Sequence, residues 1–198
     1  VLAALREAGE QVIDLEGLAG HRGSAFGGIG RAPQPTVEQF ENELFLQWRE
    51  LLPNKTVWIE GESKAIGRVY IPDPVWNQML IAPAVFVEVD RAKRVEFLVA
   101  EYGELPTDQL AAAVSKIKKR LGGDRLTAAL AALERRDLST FAAITLEYYD
   151  KAYLNALKKR PQDQIVRMPL ACPGDRAAVV PLKQLANARF SAISPAQR

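Results

Sequence analysis

Val12-Ile13-Asp14-Leu15-Glu16-Gly17-Leu18-Ala19-Gly20-His21-Arg22-Gly23-Ser24-Ala25-Phe26-Gly27-Gly28 sets the plan of this chain. Residues 11–15 are mostly apolar without clean alternation, the pattern of a strand buried on both faces of a parallel sheet. The run stops at carboxylates and enters a glycine-rich loop that holds the only histidine. In open α/β sheets ligands gather beyond the carboxyl ends of the strands, so this loop stands where a site is expected. Glycines let backbone amides turn toward a bound anion, and Arg22 offers a guanidinium fork for phosphate oxygens. A long connector that uses glycine only to turn fits the same residues.

On the N-terminal side, Leu2, Leu5 and Ala8 before Gly9 have the spacing of the end of an amphipathic helix. The chain reads as beginning inside an element, a fragment with something upstream. On the other side, Pro33 and Pro35 close the loop. Thr36-Val37-Glu38-Gln39 is a capping-box pattern, and Val37, Phe40, Leu44, Trp48 and Leu51 recur at helical spacing up to Pro53. Residues 56–59 form a second buried strand, which ends at Glu60-Gly61-Glu62-Ser63-Lys64. Phosphate-handling α/β enzymes place the residue that orients magnesium or water at such a tip, although any buried strand must end in something polar. Arg68 is a second candidate phosphate contact. Pro72 and Pro74 introduce a short helix through Leu80, and residues 84–89 form a third strand.

From Arg91 onward the chain reads as helical, with apolar stripes that belong to a core. Residues 163–170 return to a strand, and the tail from Ser191 reads as loosely held. Lys116, Lys119 and Arg120 share one helical face, and Lys158, Lys159 and Arg160 close the last helix. These would track an RNA backbone, with Tyr148, Tyr149 or Tyr153 stacked on a base. Basic residues at helix ends also complement the macrodipole with no ligand present.

Composition excludes some classes. Lys+Arg 26 against Asp+Glu 24 gives a net charge of +2, so any basic surface must come from clustering. A lone cysteine, Cys172, makes neither a disulfide framework nor a structural zinc site and points to a reducing compartment, the cytoplasm being simplest. No apolar run approaches membrane-spanning length, so no membrane partner is expected.

Three segments together closely resemble the C-terminal domain of the tRNA 2-selenouridine synthase family: Asp14 to Gly27 with its His21-Arg22-Gly23-Ser24 core, Trp58 to Gly67 with Ile71-Pro72 behind it, and Tyr148 to Tyr153. The resemblance spans about Val1 to Lys159. Gly61 departs from it, standing where an acid is expected. The resemblance implies a P-loop NTPase-like α/β fold: a mostly parallel sheet flanked by helices, with an α-helical C-terminal extension. It places the first strand and the Gly-rich phosphate loop upstream of Val1. Residues 1–90 would be the partial α/β domain, 91–170 the helical part with a final strand, and 171–198 a tail. It implies an enzyme that converts wobble 2-thiouridine of tRNA to 2-selenouridine with selenophosphate, through an S-geranyl intermediate formed from geranyl diphosphate. The reactive cysteine lies in a rhodanese-like domain of the same full-length protein, so the isolated fragment is expected to be inactive, and Cys172 does not match that cysteine.

Under this reading His21, Glu60 and Glu62 are the catalytic candidates, with Mg2+ on the diphosphate. Arg22, Gly23, Ser24, Ser63, Lys64 and Arg68 cradle phosphate, and the two basic clusters hold tRNA. Phe26 and the tryptophans are candidates for an isoprenoid slot. His21, Arg22 and Ser24 should face Glu60 and Glu62 across an open cleft beside the N-terminal end of the first helix. The alternatives are a non-catalytic tRNA-docking module and a P-loop small-molecule kinase.

Overall fold

The computed structural model describes residues 1–189. Helix α1 (Leu2–Glu7) leads into strand β1 (Gln11–Ile13), which pairs in parallel with β2 (Val57–Ile59). Helices α2 (Leu15–Ala19) and α3 (Val37–Arg49) lie between them in sequence, separated by the glycine-rich loop. The expected strand through residue 15 is cut short because Asp14 caps α2, its side chain accepting from the Gly17 amide at 2.7 Å. Thr36 caps α3 as its sequence predicts, accepting from Gln39 N–H at 3.1 Å. A hairpin not foreseen in the sequence, β3 (Ala65–Ile66) and β4 (Val69–Tyr70), turns at Gly67, whose φ of +62° suits glycine.

Helix α4 (Asp73–Ile81) precedes β5 (Ala84–Val89), which pairs in parallel with β6 (Ile165–Leu170). Five helices intervene: α5 (Arg91–Gly103), α6 (Thr107–Lys116), α7 (Lys118–Leu121), α8 (Gly123–Glu134) and α9 (Leu138–Leu157). The stretch assigned to the tail contains an element: after a short turn, α10 (Val179–Arg189) buries Leu182 and Ala186. The part from Ser191 onward lies outside the described residues.

The architecture is α/β, with short parallel sheets flanked by helices. One continuous sheet was expected; instead β1–β2 and β5–β6 are separate two-stranded pairs among the described residues. Side chains alternate between two apolar layers. Ile13, Val57 and Ile59 pack with Phe40, Leu44 and the hairpin, whereas Val12 and Trp58 face Leu5, Leu182 and the β5–β6 residues Val85, Met168 and Leu170. A third core, around Val114, Ala129, Phe141 and Ala142, belongs to the helical part and takes in Phe26 from the loop. Among the described residues no helix is long and apolar enough to cross a membrane.

Candidate functional site

The parallel register sets Ile13 opposite Ile59, so the residues just beyond, Asp14-Leu15-Glu16 and Glu60-Gly61-Glu62, emerge side by side at the same sheet end. Glu60 accepts from the Leu15 amide at 2.9 Å. Burial pushes the Glu60 carboxyl up to about 7 against that bond, and a hydrogen bond to Asp14 adds to the rise. Burial likewise raises Glu16 to about 7, reinforced by the charge of Glu62 and a hydrogen bond to it. Burial raises Glu62 too, although the bonds from Glu16 and the Ser63 amide oppose the shift. Protons are therefore best held on Glu16 and Glu60, because an ionised pair at such close range in half-buried surroundings repels.

The loop folds back over these carboxylates. Gly20, at φ +58°, ends α2 in the left-handed conformation. His21 Nδ1 accepts from the Gly23 amide at 3.1 Å, and the ring lies against Gly27 and Gly28, where Cβ atoms would stand 3.0 and 3.2 Å from it. Burial, with Arg31 and Lys116 nearby, lowers its pKa, so the imidazole is neutral and carries its proton on Nε2. Gly23, at φ +66°, runs so close to Glu62 that a Cβ would collide with the carboxylate. The loop backbone and the tip of β2 are thus in direct contact.

Beyond Gly23 the loop is anchored to the helical part. The Ala25 amide donates to the Tyr149 hydroxyl at 2.9 Å. Phe26 is only 6 % exposed, with ring centroids 5.3 Å from Tyr102 and 5.8 Å from Phe141. Phe26 is therefore core and not an open slot for an isoprenoid. Ser24 Oγ accepts from the Phe26 amide at 3.2 Å. Arg22 pairs with Glu101 of α5. The return of the loop is fixed by Gln34, whose Nε2 donates to the carbonyls of Ala19 and Ile66 at 3.0 and 2.9 Å while its Oε1 accepts from the Arg68 amide at 2.9 Å.

Between the loop and α5 lies a cleft of about 870 Å³ that brings Glu16, Arg22, Ser24, Arg31, Phe97 and Tyr153 to one space. Tyr153 is half-exposed at the edge of this space, and partial desolvation with the charges of Glu62 and Glu16 raises its phenol pKa. Glu16, Arg31, Glu101 and Gln34 were not among the predicted site residues, and Tyr149, a candidate for stacking on a base, instead has its hydroxyl engaged by the Ala25 amide. A signal for Glu16 was present: Asp14-Leu15-Glu16 and Glu60-Gly61-Glu62 are matching pairs of acids, two residues apart, at the ends of two adjacent predicted strands. Glu101 and Gln34 carry no such local mark.

The remaining phosphate candidates lie elsewhere on this end. Ser63 Oγ donates to the Ala65 carbonyl at 2.8 Å, Lys64 pairs with Asp73 at the start of α4, and Arg68 is exposed in the hairpin turn. Lys116, Lys119 and Arg120 are exposed; Lys116 lies near enough to His21 to act on its charge, and Arg120 reaches the Tyr148 hydroxyl at 3.5 Å. Lys158 and Lys159 are exposed, but Arg160 donates to the Ala82 carbonyl at 3.0 Å and caps the end of α4. Cys172 is exposed. Helix α1 is held from the other side by Arg176 on Glu7 and by the cluster of Leu5 with Ala178 and Leu182.

A family model described as the tRNA 2-selenouridine synthase AAA domain matches residues 2–180. The chain is 31 % identical over 196 residues to the tRNA 2-selenouridine synthase of Nitrosomonas europaea, covering 75 % of this chain and 51 % of that protein. It is 30 % identical over 198 residues to the synthase of Cupriavidus pinatubonensis, covering 84 % and 52 %. With the synthase of Sulfurovum sp. it shares 35 % over 134 residues, 59 % of this chain and 36 % of the relative. The chain thus spans about half the length of such relatives or less. No solved structure matches. With the family model matching residues 2–180, the chain belongs to the tRNA 2-selenouridine synthase AAA-domain family.

Proposed function

We propose that this chain is the part of a tRNA 2-selenouridine synthase that holds a prenyl diphosphate, geranyl diphosphate, beside the wobble 2-thiouridine of tRNA. The observation that carries the reading is the contact of the glycine loop with Glu62 at the tip of β2, beside a cleft that Glu16 lines together with Arg22 and Ser24. The reaction begins when the thiocarbonyl sulfur attacks C1 of the geranyl group. The C1–O bond breaks, its electron pair leaves on diphosphate, and the N3 proton of the base is lost. Selenium from selenophosphate then bonds to C2 as the C2–S bond breaks and geranylthiol leaves, and water takes the phosphoryl group from selenium as phosphate; the reactive cysteine is supplied by a rhodanese-like domain of the full-length protein. Selenation is therefore not assigned to residues of this chain.

The residues have distinct tasks in the first step. Loop amides, Arg22 and Ser24 stabilise the departing charge. His21 holds the loop in shape and retains an Nε2 proton to donate. Among the described residues no group of at least three His, Cys, Asp or Glu side chains is arranged to hold a metal ion. Mg2+ needs no such group, because it is usually bound by one or two carboxylates together with substrate phosphates and waters. The cation would be held by Glu62, or by Glu60 once it gives up its proton, directly or through water, and would offset the charge of the diphosphate. A strand bearing a phosphate loop would complete a P-loop-type sheet between β2 and β5. Support comes from the two strand pairs, which share one apolar layer yet exchange no backbone hydrogen bonds. The tRNA would lie along Lys116, Lys119 and Arg120, with Lys158 and Lys159 as further contacts; Arg160 is withdrawn from this set by its structural bonds.

Arg22→Ala and Glu60→Ala in the full-length enzyme test the assignment. Each should lower the rate of tRNA S-geranylation by about a hundredfold, the scale of losing one oriented charge-stabilising group. Unchanged geranylation in both removes the catalytic reading. The pairing of Arg22 with Glu101 favours a second reading, a tRNA-docking module whose phosphate site is vestigial, in which tRNA affinity but not geranylation depends on this chain.

A further inference from the structure

The cleft beside the loop has aliphatic and aromatic walls that the charge chemistry above leaves unused. Ile29 from the loop, Leu98 from α5 and Leu105 just beyond it line the same space as Arg22 and Ser24. Phe97 is 46 % exposed there, a large apolar ring turned to water inside a concavity rather than scattered on a convex surface. Its neighbour along the helix is decisive. Phe97 and Glu101 are four residues apart on one face of α5, and Glu101 holds Arg22, so the ring lies one helical turn from the guanidinium. A ligand with its charged head at Arg22 and Ser24 would carry whatever it bears next along Phe97.

We infer that Phe97, with Ile29 and Leu105, forms the slot for the hydrocarbon chain of the prenyl diphosphate, and that the Phe97 ring sets the length of chain accepted. The inference rests on the reading above that a prenyl diphosphate is bound at this site. Ile29, Leu98, Leu105 and the Phe97 ring offer no hydrogen bonds, so this wall of the cleft suits a hydrocarbon, while the charged groups lie on its other sides with Arg22, Glu16 and Arg31. The cleft, at about 870 Å³, lies within the usual range for a small-molecule site that is mainly apolar with a few convergent polar groups.

The test measures prenyl transfer to 2-thiouridine tRNA by the full-length protein with dimethylallyl, geranyl and farnesyl diphosphates. Because Phe97 is exposed, its substitution leaves the core intact. Phe97→Ala should shift the kcat/KM ratio of farnesyl over geranyl diphosphate upward by about tenfold, the scale on which apolar pockets discriminate chain length. Phe97→Asp should raise KM for geranyl diphosphate about tenfold, on the same ground of lost apolar contact, while KM for tRNA stays unchanged. If the donor parameters of both variants match the wild type, the slot lies elsewhere. If only KM for tRNA rises, the cleft belongs to the nucleotide and the inference is overturned. Absence of prenyl transfer by the wild-type protein would instead sink the underlying reading, and this slot with it.

Discussion

Glu16 and Glu60 show how the same residue type takes on different work from its surroundings. Both carboxyls fold with a pKa raised from 4.5 to about 7, chiefly by burial. A folded-state pKa above the unfolded value means that the native state binds the extra proton. Stability from that proton is complete below about 4.5 and is lost as pH rises through about 7. The melting temperature in the absence of ligand should therefore fall as pH rises across this window. Glu16→Gln and Glu60→Gln should each flatten the fall in a thermal melt series. A slope equal to the wild type in both would mean that the carboxyls titrate as in water. His21 shifts the other way: burial and its cationic neighbours keep it neutral, so its contribution is to loop shape, through the Gly23 amide.

The glycine-rich loop is an ordered element because its middle is inserted into another part of the molecule. Phe26 sits among Tyr102 and Phe141, and the Ala25 amide is held by Tyr149. Phe26→Ala should destabilise the protein by about 3–5 kcal/mol in urea, as deletion of a buried aromatic does. Phe45 on α3, 64 % exposed, is the control, and its replacement by alanine should cost less than about 0.5 kcal/mol. Equal effects would mean that the loop is not docked as described. Gln34 plays a comparable part at the loop's return, where one side-chain amide joins α2 to β3 and to the hairpin turn. Asp150, in the Tyr148-to-Tyr153 segment, is structural as well: it pairs with Arg94, which also donates to the Val89 carbonyl at 3.0 Å and ties α5 and α9 to the end of β5.

The molecule is assembled around two parallel strand pairs that share apolar layers without sharing hydrogen bonds. All six residues of β5 are only half-buried, although Ala84-Val85-Phe86-Val87-Glu88-Val89 has the composition of an interior strand. A neighbouring strand would cover that edge. Amides of β5 that point away from β6 should exchange with solvent quickly in this chain and become protected by at least about tenfold in the full-length protein, since a ladder bond must open before exchange. Equal exchange in the two proteins would argue against a strand between β2 and β5.

The sequence determined the local elements. An apolar run after Pro83 placed β5 at residues 84–89, and helical spacing placed α3 after its Thr36 cap, because apolar patterning and capping are properties of neighbouring residues. The same local logic located the carboxylates at the strand tips. It could not say that Glu16 would share a proton with Glu62, that Arg22 would be claimed by Glu101, or that Arg160 would cap α4 instead of meeting RNA. Those outcomes join residues 46, 79 and 78 positions apart, and only tertiary structure brings such groups together. The loop states the division most plainly. Its glycines and His21-Arg22-Gly23-Ser24 core are legible along the chain, but Phe26 turned from an open slot into a core residue because a helical core more than seventy residues away closed over it. Sequence pattern gives each side chain its chemistry, and packing decides which partner that chemistry meets.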